Sequence, residues 1–102
     1  MTMGTNVISI DKIITLVKPF AEKYNVKEIY LFGSYARGEA NENSDLDFLV
    51  VGGDNFKLTN TLALGEDLRE ALKKKIDIFE IREINKESEF YQTIMREKVL
   101  VA

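Results

Sequence analysis

The sequence predicts an α/β domain of the α+β kind, a small mixed β-sheet backed by helices, and three observations predict it. Apolar residues recur at helical spacing in three stretches, 11–24, 57–74 and 86–97. Between them stand VKEIYLF, LDFLVV and KIDIFEI, short runs rich in β-branched and aromatic residues and of strand length. The resulting order of helix, strand, strand, helix, strand, helix gives a small mixed sheet with helices packed on it.

In the first helix, Ile10, Ile13, Ile14, Val17, Phe20, Ala21 and Tyr24 share one face, with Ser9 or Asp11 as the candidate N-cap. Pro19 falls inside this pattern. It lacks a backbone donor and crowds the preceding turn, so the helix is expected to kink there or to end near Val17. Asn25 tolerates the left-handed conformation that closes a helix, and strand one follows at 26–32, delivering Gly33. A short helical turn is expected at 34–39, then a polar loop, EANENS, at 39–44. Strand two is Leu46 to Val51, closed by Gly52 and Gly53.

The second helix, 57–74, is expected to bury Leu58, Leu62, Leu68, Ala71 and Leu72; Gly65 interrupts it at a cost of about 1 kcal/mol relative to Ala. Lys73, Lys74 and Lys75 suit its C-terminus, where positive charge complements the helix dipole. Strand three is 75–81. The last helix turns Phe90, Ile94 and Met95 inward, and VLVA follows it.

The 102 residues are 45% hydrophobic and 30% charged, which predicts one soluble globular domain, 1–102, with a single core. A net charge of −3 argues against general nucleic-acid binding, which needs an excess of Lys and Arg to engage phosphates. With no Cys there is no disulfide framework, thiolate zinc site or cysteine nucleophile. With no His, acid–base and metal chemistry fall to Asp, Glu, Lys and Tyr. The apolar runs are too short for a bilayer span, and MTMGTN lacks the regions of a signal peptide, so a cytoplasmic location is expected.

The segment GSYARGEANENSDLD, residues 33–47, carries the chemistry. Asp45 and Asp47, two positions apart on a strand, project from the same face, and their carboxylates repel unless a cation lies between them. Aspartate is depleted in strands, so Asp47 within one needs compensation that a metal would supply. Gly33 and Ser34 lie where a strand turns into a helix, a place where backbone N–H groups and a hydroxyl converge on an anion. A Gly-Ser pair, ten residues and Asp-x-Asp would arise by chance in a chain this long on the order of once in a thousand. Asp77, flanked by Ile76 and Ile78, reaches the same site if strands two and three are neighbours. Three carboxylates with phosphate oxygens and water give the all-oxygen coordination that Mg2+ prefers. Glu80, on the same strand, points to the opposite face and is not counted as a ligand.

The run LFGSYARGEANENSDLDFLV, with Asp77 as the later carboxylate, resembles the minimal nucleotidyltransferase family, small members of the polymerase-beta-like nucleotidyltransferase superfamily. Ala36, Arg37, Gly38 and Ser44 also stand as in many members, and the resemblance covers nearly the whole chain. It implies the polymerase-beta-like fold and transfer of a nucleoside monophosphate from a triphosphate, usually ATP, to a hydroxyl. Asp45 and Asp47 would hold two Mg2+ ions, and Asp77 would complete the second metal site and take the proton. Gly33, Ser34, Arg37 and Ser44 are the expected nucleotide-binding residues, with Arg37 adding a charge-assisted contact to phosphate.

The sequence shows no counterpart of the helical domain with which larger relatives hold base and acceptor, so a partner surface is expected to present the hydroxyl. Family members this short commonly pair, as antitoxins, with a helical HEPN-type ribonuclease toxin, and the leading expectation is adenylylation of a tyrosine on that partner. Two alternatives remain at this point: a binding module that neutralises its partner by occlusion, and an enzyme that modifies a small molecule, for which a homo-oligomer could build the cleft.

Overall fold

The computed structural model describes residues 7–102; the MTMGTN stretch weighed as a leader lies outside them. Helix α1 (Ile10–Lys23) is capped by Ser9, whose hydroxyl accepts the Lys12 N–H at 3.1 Å. The helix does not end near Val17 but continues through Pro19 to Lys23. Tertiary contacts on its second half hold it: Ala21 is buried in the core, while Lys23 Nζ and the Tyr24 hydroxyl both donate to Asp67 Oδ2, at 2.8 and 2.7 Å. Asn25, at φ 53°, makes the left-handed exit expected of it.

Strand β1 (Glu28–Phe32) leads into the single turn α2 (Ser34–Arg37), and β2 (Leu46–Val51) returns antiparallel to β1. Helix α3 (Leu58–Leu72) crosses over to β3 (Ile76–Glu80), which lies parallel to β2. A 3-10 turn at Ile81–Glu83 and helix α4 (Glu89–Glu97) follow. The expected last helix therefore starts three residues late, after the Ser88 hydroxyl caps it by accepting the Tyr91 N–H at 3.0 Å. VLVA supplies an element not foreseen, a two-residue strand β4 (Val99–Leu100) antiparallel to β1. The sheet order is β3-β2-β1-β4, and it is mixed as predicted.

Alternation along the strands separates two apolar layers. Ile29, Leu31, Leu46, Phe48, Val50 and Ile76 pack with α1 and α3 on one face. On the other, Phe32 and Leu49 pack with Ile84 and with Ile94 of α4.

Helix α3 corrects the expected apolar face. Leu58 and Leu62 are 53% and 72% exposed, and the buried set is Thr61, Leu64, Gly65, Leu68 and Leu72. Gly65 lies on that buried face, where a β-carbon would stand only 3.3 Å from Ile78 Cγ2, so the helix packs tightly on the sheet there. Phe90 also departs from expectation. It is 45% exposed, its ring lying at the edge of an aromatic group with centroids 5.3 Å from Phe79 and 5.9 Å from Phe32.

Candidate active site

The register of the sheet brings the distant carboxylates together. Asp47 stands opposite Phe32 on β1 and abreast of Asp77 on β3, so the two acids occupy one rung of a parallel pair on the α4 side of the sheet. Side chains on one rung are within direct reach of each other. Asp45 precedes β2 and adds its charge to the pair. Burial first, then the Asp77 and Asp45 charges and a hydrogen bond with Asp77, push the Asp47 carboxyl up from 3.8 to about 6; Arg37 opposes the rise only weakly. Asp77 is exposed, so one member of the pair faces solvent and the other is half-buried. Among the described residues no three His, Cys, Asp or Glu side chains are gathered as a ready-made metal cage. Asp47 and Asp77 form the close pair, with Asp45 beside them.

Gly33 sits against this pair. Its φ of +78° is one that an L side chain rarely adopts, and a β-carbon there would collide with Asp47 Oδ2. Both the backbone turn and the close approach of the carboxylate therefore require glycine. Ser34 opens α2, and buried Tyr35 anchors this turn to the core. Gly38, at φ +75°, closes it, leaving the exposed Arg37 side chain projecting from the last residue of the turn.

Ser44 orders the loop ahead of β2. Its hydroxyl accepts the Asn41 N–H at 2.8 Å while its own N–H donates to the Asn41 carbonyl at 3.0 Å, so it shapes the loop that delivers Asp45. Glu80 lies on the far face as expected, 1% exposed and paired with Arg82 at 2.7 Å.

The sequence reading missed one residue of the site. Glu97, in the last turn of α4, accepts the Gly33 N–H at 3.1 Å and takes Arg37 Nη1 on both carboxylate oxygens, at 3.2 and 3.1 Å. Glu39 takes Arg37 Nε at 3.0 Å. The Glu39 and Glu97 carboxylates raise the Arg37 guanidinium further above its ordinary value. The only local signal was an acid at the C-terminal end of an amphipathic helix, where the dipole disfavours it.

A model of the polymerase beta nucleotidyltransferase family matches residues 15–102. Protein adenylyltransferase MntA of Thermococcus cleftensis is 37% identical over 84 residues, which span 82% of this chain and 83% of the relative. A solved toxin–antitoxin with AMP-PNP holds a chain similar at TM-score 0.71 and 27% identity, over 93% of this chain and 73% of that one. The structure of a tri-AMPylated Shewanella oneidensis HEPN toxin in complex with MNT antitoxin holds another, at TM-score 0.62 and 25% identity, over 91% and 68%.

Proposed function

The chain belongs to the polymerase beta nucleotidyltransferase family, among its minimal nucleotidyltransferases, and on that premise we propose that it transfers AMP from ATP to a tyrosine of a HEPN-type ribonuclease toxin, acting as its antitoxin. On this reading residues 1–102 are one minimal nucleotidyltransferase domain. The observation that carries the chemistry is the Asp47–Asp77 rung beside Gly33, two like charges held together where the backbone leaves room for nothing larger than glycine.

In the reaction the acceptor hydroxyl gives up its proton, its oxygen bonds to the α-phosphorus, and the bond to the β-phosphate oxygen breaks to release pyrophosphate. With no His in the chain, the proton acceptor in this proposal is a carboxylate, and Asp77, the most exposed of the three, takes that role. Gly33, Ser34 and Arg37 bind the β- and γ-phosphates through a backbone N–H, a hydroxyl and a guanidinium. A carboxylate pair that raises its own proton affinity suits a divalent cation. Mg2+ held by Asp45, Asp47 and Asp77 would neutralise the triphosphate and lower the pKa of the acceptor hydroxyl.

The test is incubation with ATP labelled on the α-phosphate, Mg2+ and a HEPN-type partner, comparing wild type with Asp45→Ala/Asp47→Ala. Label on a partner tyrosine that disappears in the variant supports the assignment. Neutralisation without label, unchanged in the variant, means occlusion and overturns it.

A further inference from the structure

We infer that Glu97 is a built-in competitor for the nucleotide's phosphates: its carboxylate takes the Gly33 N–H and the Arg37 guanidinium, and a triphosphate must exchange with it to bind. The inference rests on the reading that Gly33 and Arg37 form the phosphate cradle.

Three observations carry it. The first is chemical identity: a carboxylate accepting from a backbone N–H at 3.1 Å and chelating one guanidinium nitrogen at 3.1 and 3.2 Å makes the contacts a phosphate oxygen would make. A single N–H hydrogen serves one strong acceptor at a time, so Glu97 and phosphate exclude each other at Gly33. The second is charge. Arg37 is bracketed by Glu39 at 3.0 Å and Glu97 at 3.1 Å, so its one positive charge is already exceeded before a polyanion arrives. The third is placement. Glu97 belongs to the last turn of α4, where the helix dipole disfavours an anion, and its side chain is only 16% exposed. Both penalties are offset by the two donors of the cradle, which sit 60 and 64 residues away along the chain.

Because α4 carries Glu97, nucleotide binding and the seating of the helix end are linked. A ligand that displaces Glu97 loosens the α4 contact with the cradle, and anything that draws Glu97 away raises affinity for the ligand.

The experiment titrates tripolyphosphate, a base-free probe, with Mg2+ into wild type, Glu97→Gln and Arg37→Gln by calorimetry. Gln retains an oxygen for the Gly33 N–H while removing the charge. Glu97→Gln is expected to bind about three- to tenfold more tightly at low salt, with the gain shrinking as ionic strength rises, and Arg37→Gln to bind more weakly. If Arg37→Gln weakens binding but Glu97→Gln leaves it equal or weaker, the competitor role is overturned and the cradle reading stands. If neither wild type nor Glu97→Gln binds the probe, both fall. A second measurement needs no variant: tripolyphosphate added to isotope-labelled wild type must shift the Gly33 amide and Glu97 carboxylate resonances together. Binding that leaves Glu97 unmoved overturns the inference.

Discussion

Asp77 and Glu80 stand three residues apart on β3, on opposite faces of the sheet, and they meet opposite surroundings. Glu80 is enclosed by donors. One oxygen accepts Arg82 Nε at 2.7 Å and the Arg82 N–H at 2.9 Å, and the other accepts the Gly52 N–H at 3.2 Å. Burial alone would push its carboxyl up, yet these donors hold it below its ordinary value. On the other face, Asp77 adjoins Asp47, which also feels the Asp45 charge, and the guanidinium that acts on Asp47, Arg37, is engaged by Glu39 and Glu97. The same strand thus presents a carboxylate satisfied by its fold and one set among like charges. Structural acids are surrounded by donors, whereas acids meant for a ligand are left to repel until the ligand arrives.

The sharpest way to break this comparison is to exchange the consequences. On the proposed function, Asp45→Ala/Asp47→Ala is expected to lower AMP transfer by at least about a thousandfold, because in that proposal these groups hold the cation that stabilises charge developing in the transition state. Its melting temperature should not fall, since the variant removes repulsion. A variant that lost activity only in proportion to lost folded protein would place Asp45 and Asp47 with Glu80 as structural acids.

Glu80→Ala reverses the pattern. It strips the partner from Arg82 and from the buried Gly52 N–H, and urea denaturation should show a loss of about 3 kcal/mol, at the low end for a broken buried pair because Arg82 is itself half-exposed. Transfer per folded molecule should be unchanged. A large fall in specific activity at full stability would show that the far face of β3 reaches the chemistry.

How far the site could be read in advance follows the same division between local and distant causes. Gly33, Ser34, Asp45 and Asp47 were legible because one strand–turn–strand unit fixes their spacing within fifteen residues. Asp77 was legible only by assuming that β2 and β3 are neighbours, which the parallel register bears out. Glu97 was not legible, because no local rule connects a helix end to a turn 64 residues earlier. The misassigned face of α3 has a related cause. Counting leucines selected Leu58 and Leu62, but the face that packs on the sheet is the one carrying Thr61, Leu64, Gly65 and Leu68, with Gly65 against Ile78 of the sheet beneath it. Strand β4 is two residues long and takes its identity from the free edge of β1, so the tail alone carries no periodicity to reveal it.

The smallest effect is the one most specific to the acidic rung. Asp47 holds a proton up to about pH 6 in the folded protein, whereas the unfolded chain releases it near 3.8. Between these values the folded state binds more protons than the unfolded state, so its stability falls as pH rises through the window, and the loss is complete above about pH 6. The full shift would correspond to about 3 kcal/mol. Because Asp47 is only half-buried, solvent screening reduces the expected effect to about 1–2 kcal/mol. Glu80 has the opposite sign: its contribution is complete above 4.5 and is lost only as pH falls below that. Between pH 5 and 8 the difference between wild type and Asp47→Asn therefore isolates the rung. In EDTA the variant should be the more stable at pH 8, and its advantage should shrink towards pH 5. Adding Mg2+ should remove that advantage at pH 8 by stabilising wild type alone, and do little at pH 5, where Asp47 carries a proton. A difference that stays flat with pH and does not respond to Mg2+ would mean that Asp47 is neither desolvated nor coupled to Asp77 in the folded protein, and the contrast with Glu80 would fall.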